Sequence, residues 1–176
     1  MACSNGSFQL ESPAFADGDR IPHLHSGNGL NLSPPLHWRG TPEGCRSLAL
    51  VMDDADAPGG PWLHWLLFNI PASQRRLPAG LERAEQLANG TRHGRCWGVQ
   101  AFSRTGYQGP EPPEGELHRY RFALHALDAP LELPPGCTLP DLEAAMAGHR
   151  LATATLTGLY GVAKASPTQM RQSAAM

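Results

Sequence analysis

Three short stretches hold the side chains best suited to chemistry, and each stands beside an apolar run or strand-like segment. Asp53-Asp54-Ala55-Asp56 follows Ser47–Met52, and Trp62-Leu63-His64-Trp65 opens the run HWLLFNI. The third, YQGPEPPEGELHRY, runs from Tyr107 to Tyr120 and reaches His118 just before an alternating segment. Three carboxylates in four residues repel unless donors face them. Taken alone, that stretch reads as an Asx-rich turn capping a strand. A histidine among apolar residues reads, alone, as a satisfied core residue. The prolines and glycines before His118 fix a loop that cannot pair as a sheet. If the three stretches meet, Asp54, His64, Tyr107, His118 and Tyr120 line one small site. Imidazolium N–H, phenol O–H and backbone N–H groups all donate, so such a site suits a small anion. The aspartates would then orient the imidazoles through their second nitrogen and raise their pKa.

Two other chemistries use the same residue types. A hydrolase could take His64 or His118 as general base, although no Ser or Cys stands in a recognisable nucleophile motif. Two histidines and a carboxylate also make a metal-binding set. A further group, His23, His25 and His37, lies in a loop context and reads as solvated surface. Arg119 and Arg121 read as a solvated sheet face or as rim ion pairs. Trp38 and Trp65 read as core aromatics, because burying an indole contributes more than a loop contact.

The elements that must position these groups are mostly strands. Ser47–Met52 and His64–Ile70 are apolar runs closed by turn residues, as buried strands are. From Arg119 to Leu127 the pattern alternates, with Tyr120, Phe122, Leu124 and Ala126 on one side. Leu151–Tyr160 has the same spacing, with Thr153, Thr155 and Thr157 on one face. Residues 16–37 read as a long loop, and a short helix is expected near Arg83–Ala88. One stronger helix spans Thr138–Gly148, where Thr138 and Asp141 have capping-box spacing and Gly148 is a stop. Strands that do not alternate with helices favour an antiparallel architecture.

Bulk composition narrows the classes. The 176 residues suit one domain, and 41% hydrophobic content excludes global disorder. A net charge of −2 leaves no field for nucleic acid or an anionic membrane, so any anion must be held locally. Cys3, Cys45, Cys96 and Cys137 have no CxxC spacing, which excludes zinc ribbons and thioredoxin-like centres. The opening MACSNGSFQLESPAF has no secretory pattern, and no run reaches the ~18 apolar residues of a membrane helix. Free thiols in the cytoplasm are the expectation.

Order and spacing together carry one resemblance. SPAF (12–15), NLSPPLHW (31–38), SLALVMDDADAP (47–58), HWLLFNIP (64–71), GYQGPEPPEGELHRYRFALHALD (106–128) and LEAAMAGHRLATATLTGLY (142–160) resemble the phosphatidylethanolamine-binding protein family. The likeness is strongest to its bacterial YbhB/YbcL-type branch, related to the Raf kinase inhibitor proteins. It implies a large antiparallel sheet packed on a smaller one, with few short helices. It also implies a single domain over residues 1–161, followed by a flexible tail, 162–176. The family's pocket takes phosphate-like and carboxylate groups. Carried onto this chain, Asp54, His64 and His118 fall at its pocket positions. Gly109, Pro110 and Pro113 hold the intervening loop, Tyr120 sits just beyond His118, and Tyr107 precedes the GP pair. Asp56 and Pro58 belong to the turn, where Ala55 replaces the family's usual proline. The implied protein is a binding module for a small anion, more than an enzyme, without metal or cofactor. Restraint of a kinase or protease, and a homodimer, are the partnerships the resemblance adds.

Overall fold

The computed structural model describes residues 7–96 and 104–164. The strands in chain order are β1 (Gln9–Glu11), β2 (Leu36–Arg39), β3 (Ser47–Asp54), β4 (Trp62–Pro71) and β5 (Arg76–Leu77). They continue with β6 (Arg92–His93), β7 (Arg95–Cys96), β8 (Arg104–Thr105), β9 (His118–Leu127) and β10 (Arg150–Tyr160). One α-helix, α1 (Leu139–Met146), precedes β10.

The apolar runs become the middle of a five-stranded antiparallel sheet ordered β10-β9-β3-β4-β6. Alternation along each strand then divides its side chains between two cores. Leu48, Leu50 and Met52 of β3 join Trp65, Leu67, Tyr120, Phe122 and Leu124 on one face. That face is covered by the smaller sheet β1-β2-β5, through Leu10, Leu36, Trp38 and Leu77. Ala49, Val51, Leu66 and Phe68 point the other way, onto Leu142 and Met146 of α1. Each such aliphatic or aromatic side chain contributes about 1.5–3 kcal/mol when fully buried. The large sheet on a smaller one is therefore the observed fold, with α1 backing the far face.

Two bulges interrupt β4. Met52 faces Trp65 while Asp53 faces Leu63, so His64 is the extra residue between them. Asn69 takes a positive φ of 52° and turns its amide to Leu131, donating to the carbonyl and accepting from the N–H. The second bulge lets Leu67 and Ile70 both reach the same core despite their odd spacing.

The helix forms where the capping box places it: the Thr138 hydroxyl accepts from Asp141 N–H and the Asp141 carboxylate accepts from Thr138 N–H. Gly148 follows with φ +79°. The helix expected near Arg83–Ala88 is absent. The backbone there bonds sideways, with His93 N–H donating to the Glu85 carbonyl and Leu87 N–H to that of Thr91. A turn that folds residues 85–87 back onto 91–93 takes up these bonds, and so short a segment has little helical stability of its own to oppose it. The 16–37 loop contains a 3-10 turn at His23–His25 and ends inside β2. His25 is buried and bonds through Nδ1 to the Leu32 carbonyl, so it does not belong to a solvated cluster. Residues 97–103 and 165–176, which include much of the expected tail, lie outside the described residues. Within that tail, the Val162 carbonyl accepts from Gly115 N–H. Among the described residues, no helix is long and apolar enough to cross a membrane.

Candidate functional site

β3, β4 and β9 are neighbours, and their chemistry-bearing residues all sit at one end of the sheet. Asp54 is the last residue of β3 and pairs in register with both Tyr120 of β9 and Trp62 of β4. His118 opens β9, and the bulge aims His64 from β4. Around them lies a cleft of roughly 410 Å³. Asp54, His64, His118 and Tyr120 form its polar wall; Ala57, Pro58, Trp62, Pro112 and Pro113 form an apolar one; Glu111 stands on the rim.

The loop before β9 is held by Tyr107, whose ring packs edge-on against Trp65 in the core, and by hydrogen bonds of its backbone. Gln108 N–H donates to the His64 carbonyl (3.0 Å), and Gly109 N–H donates to Asn31 Oδ1 (2.7 Å). Gly27 N–H donates to the Pro110 carbonyl at 2.8 Å. Gly109 passes so near the 23–33 segment that an added Cβ would stand 2.4 Å from the His25 carbonyl oxygen. Only glycine fits that approach.

The two histidines are wired differently. His118 Nδ1 lies 2.7 Å from Asp54 Oδ2, and its Nε2 lies 2.9 Å from Glu116 Oε2. Both ring nitrogens therefore donate to carboxylates, which is the imidazolium pattern. Burial opposes that charge, but hydrogen bonds to Asp54 and Glu116 outweigh it, and the His118 pKa is raised. His64 Nδ1 instead donates to the Gln108 carbonyl at 2.8 Å. A carbonyl only accepts, so neutral His64 carries its proton on Nδ1 and leaves a lone pair on Nε2. Burial dominates and lowers the His64 pKa. The expectation that aspartates orient and charge both imidazoles is thus corrected: it describes His118 alone.

Tyr120 stands edge-on to His64, with ring centroids 5.2 Å apart. Its hydroxyl is buried, with Asp54 and the Glu111 backbone close by but neither of them in full hydrogen-bond geometry. Burial, then the nearby Asp54 charge, raises its pKa, so it remains a donor. The Asp54 carboxylate also accepts from Asp56 N–H (2.9 Å), which fixes the turn with Ala55 in place of proline.

The sequence and the fold can be set beside those of known proteins. The family model for phosphatidylethanolamine-binding protein matches residues 11–161. The chain belongs to that family. A UPF0098 protein of Methanothermobacter thermautotrophicus is 44% identical, over 86% of this chain and 97% of that one. The Escherichia coli UPF0098 protein YbhB is 37% identical, over 86% and 99%. The crystal structure of E. coli YbcL, described as a member of the mammalian PEBP family, superposes with a TM-score of 0.80 at 31% identity. It covers 89% of this chain and 99% of YbcL.

In this family member, Asp54, His64, Pro113, His118 and Tyr120 share the cleft, as does Pro58 from the turn. Tyr107, Gly109 and Pro110 stand behind it. The Tyr107 hydroxyl donates to the His25 carbonyl at 2.6 Å, and the ring borders a different cleft beside Arg83. Asp56 takes Arg119 in a two-pronged ion pair, and Asp53 does the same for Arg121 on the solvated face of the sheet; neither arginine lines the cleft. Sequence reasoning missed Trp62, Glu111 and Glu116. Trp62 and Glu111 had a legible signal, since they lie within or beside the three chemistry-bearing stretches. The contact of Glu116 with His118, two residues on, depends on loop curvature that spacing does not encode. Among the described residues, neither Ser nor Cys lines the cleft, and no group of three His, Cys, Asp or Glu side chains is arranged to hold a metal.

Proposed function

We propose that the cleft binds a small oxyanion: phosphate, the phosphate group of a phosphomonoester or lipid head group, or a carboxylate. One observation carries this reading. Asp54 clamps His118 from behind and keeps it cationic, while Nε2–H, the other donor, is directed at a carboxylate oxygen. Donors in that state favour an anionic acceptor, with bonds roughly twice as strong as neutral ones. The Tyr120 hydroxyl offers a second donor. Neutral His64, with its lone pair on Nε2, suits a protonated ligand oxygen such as the P–OH of a phosphate monoanion. The apolar wall leaves room for an organic group beside the anion. Family membership supports the reading, and it assigns no catalytic step to any residue. A cytoplasmic setting accompanies it, on the ground that Cys45, Cys96 and Cys137 are free thiols.

Calorimetric titration of inorganic phosphate and O-phosphorylethanolamine at about pH 6 and about pH 8, across the imidazole range, tests the proposal. Both ligands bind more tightly at the lower pH, and His118→Ala loses at least about tenfold in affinity, as expected for removing a charge-assisted donor. Sulfate, whose charge is constant over this range, isolates the titration of the protein. Affinity untouched by His118→Ala would sink the reading.

A further inference from the structure

The donor that the oxyanion needs is already engaged. Glu116 Oε2 lies 2.9 Å from His118 Nε2, on the side of the ring opposite Asp54. Its backbone is pinned at three points. Glu116 N–H donates to the Pro113 carbonyl (3.1 Å), and the adjoining Gly115 N–H donates to that of Val162 (2.8 Å). Gly161 packs on its carbonyl, where an added Cβ would stand 2.2 Å from the oxygen. The side chain, by contrast, is 53% exposed, so its own carboxylate can move into solvent and free His118 Nε2. Held backbone and free carboxylate together make a tethered anion beside an anion site.

We propose that Glu116 is the resident competitor of the site: its carboxylate occupies His118 Nε2 and must leave before any oxyanion ligand binds there. This rests on the oxyanion reading above and adds its regulation. A tethered group competes at an effective concentration in the millimolar range for short linkers. Every ligand that uses Nε2 is penalised by the same factor, whatever its remainder. Bare anions are therefore poorly retained, and the favoured class is an organic phosphomonoester whose body also covers Trp62 and the prolines. The charges acting on His118 are Asp54 from β3, Glu116 from its own loop and Asp56 from the turn, and Glu111 lines the same cleft. His64 and Tyr120 complete its titratable surroundings, and Arg119 beside it is taken by Asp56.

The test uses the full chain with Glu116→Ala and Glu116→Gln, and two probes, inorganic phosphate and phenyl phosphate. NMR titration of the imidazoles, without ligand, reads the contact directly: the His118 pKa falls in both variants while that of His64 stays. In calorimetry near neutral pH, both probes bind about tenfold more tightly to Glu116→Ala, the scale of one half-exposed charged hydrogen bond after solvent screening. The gain is equal for the two probes, and Glu116→Gln lies between. An unmoved His118 pKa would overturn the inference before any ligand is added. So would wild-type binding that the alanine variant leaves unchanged or weakens. A gain confined to phenyl phosphate would place Glu116 against the ligand's body and overturn it too. If the His118 pKa falls but neither protein binds either probe, the oxyanion reading itself is what fails, and competition goes with it.

Discussion

His118 and His64 reach the same cleft from the two strands that flank β3, and their surroundings set them to opposite proton states. On the β9 side, His118 has a carboxylate at each ring nitrogen, a half-exposed Glu116 and a rim ion pair between Asp56 and Arg119. On the β4 side, His64 has one backbone carbonyl, a bulged strand and a loop closely packed on residues 23–33. The first wall is organised by charge and is open to solvent at its edge. The second is organised by sterics and backbone hydrogen bonds. Residue type supplies the capacity to titrate; the atom facing the second nitrogen decides which form is kept.

The largest effect is expected on the steric wall. In Gly109→Ala the new Cβ meets backbone, 2.4 Å from the His25 oxygen, 2.7 Å from the Ser26 carbonyl carbon and 2.8 Å from Gly27 N. No rotamer change relieves those contacts, so the 107–110 segment must shift and carry the Gln108 carbonyl off His64. A loss of about 3 kcal/mol follows, near the upper end for overpacking. Urea unfolding measures it. The His64 pKa, followed by NMR, should move toward its ordinary value as the pocket loosens. A loss near zero would show that this wall yields easily and would remove the contrast between the two sides.

A smaller effect separates the walls by pH. His118 has a raised pKa, so its folded form holds the proton more tightly than the unfolded chain. Its contribution is complete below about pH 6.5, the unfolded value, and disappears as pH rises through the folded one. His64 has a lowered pKa, so its contribution is complete above about pH 6.5 and is lost as pH falls through its folded value. Stability profiles from urea midpoints should therefore respond in opposite limbs. His118→Gln flattens the decline above that pH, and His64→Gln flattens the decline below it. Both variants flattening the same limb would contradict the assignment of proton states.

Much of this arrangement is legible in the residues themselves. Alternation from Tyr120 to Ala126 identifies one core face of β9, and all four residues are fully buried. The helix follows from Thr138 and Asp141 because a capping box is a local device, complete within four residues. His64 and His118 stand out by type, and strand ends bring them together. The failures lie where the partner is set by the path of the chain and not by spacing. Spacing does not show that His64 is the extra residue of a bulge, since its register is set by β3. The partner of its ring is a carbonyl from a loop 44 residues away, and carbonyls are indistinguishable in sequence. Arg83–Ala88 has helical promise but no helix, because its hydrogen bonds are completed by residues 91–93. Tyr107 has cleft residues for neighbours in sequence, whereas its hydroxyl reaches the carbonyl of His25.

The smallest effect probes how far the charged wall extends. Arg119 N–H and guanidinium both donate to Asp56, which holds its carboxyl down at about 2. By the linkage sign, Asp56 contributes above its unfolded value of about 3.8 and loses that contribution as pH falls through about 2. The pair is open to water, so Asp56→Asn should leave the urea midpoint at neutral pH within fitting error. Ligand affinity is the finer readout. Removing the Asp56 charge releases the positive charge of Arg119 next to His118, and that charge acts across solvent. Sulfate should bind about twofold more tightly at low ionic strength, with the gain gone near 1 M salt, where the Debye length is about 3 Å. No gain at low salt would confine the charged wall to His118 and its two carboxylates. A gain that survives high salt would mean direct contact between Arg119 and the ligand, and the wall would then reach from β3 to the rim of β9.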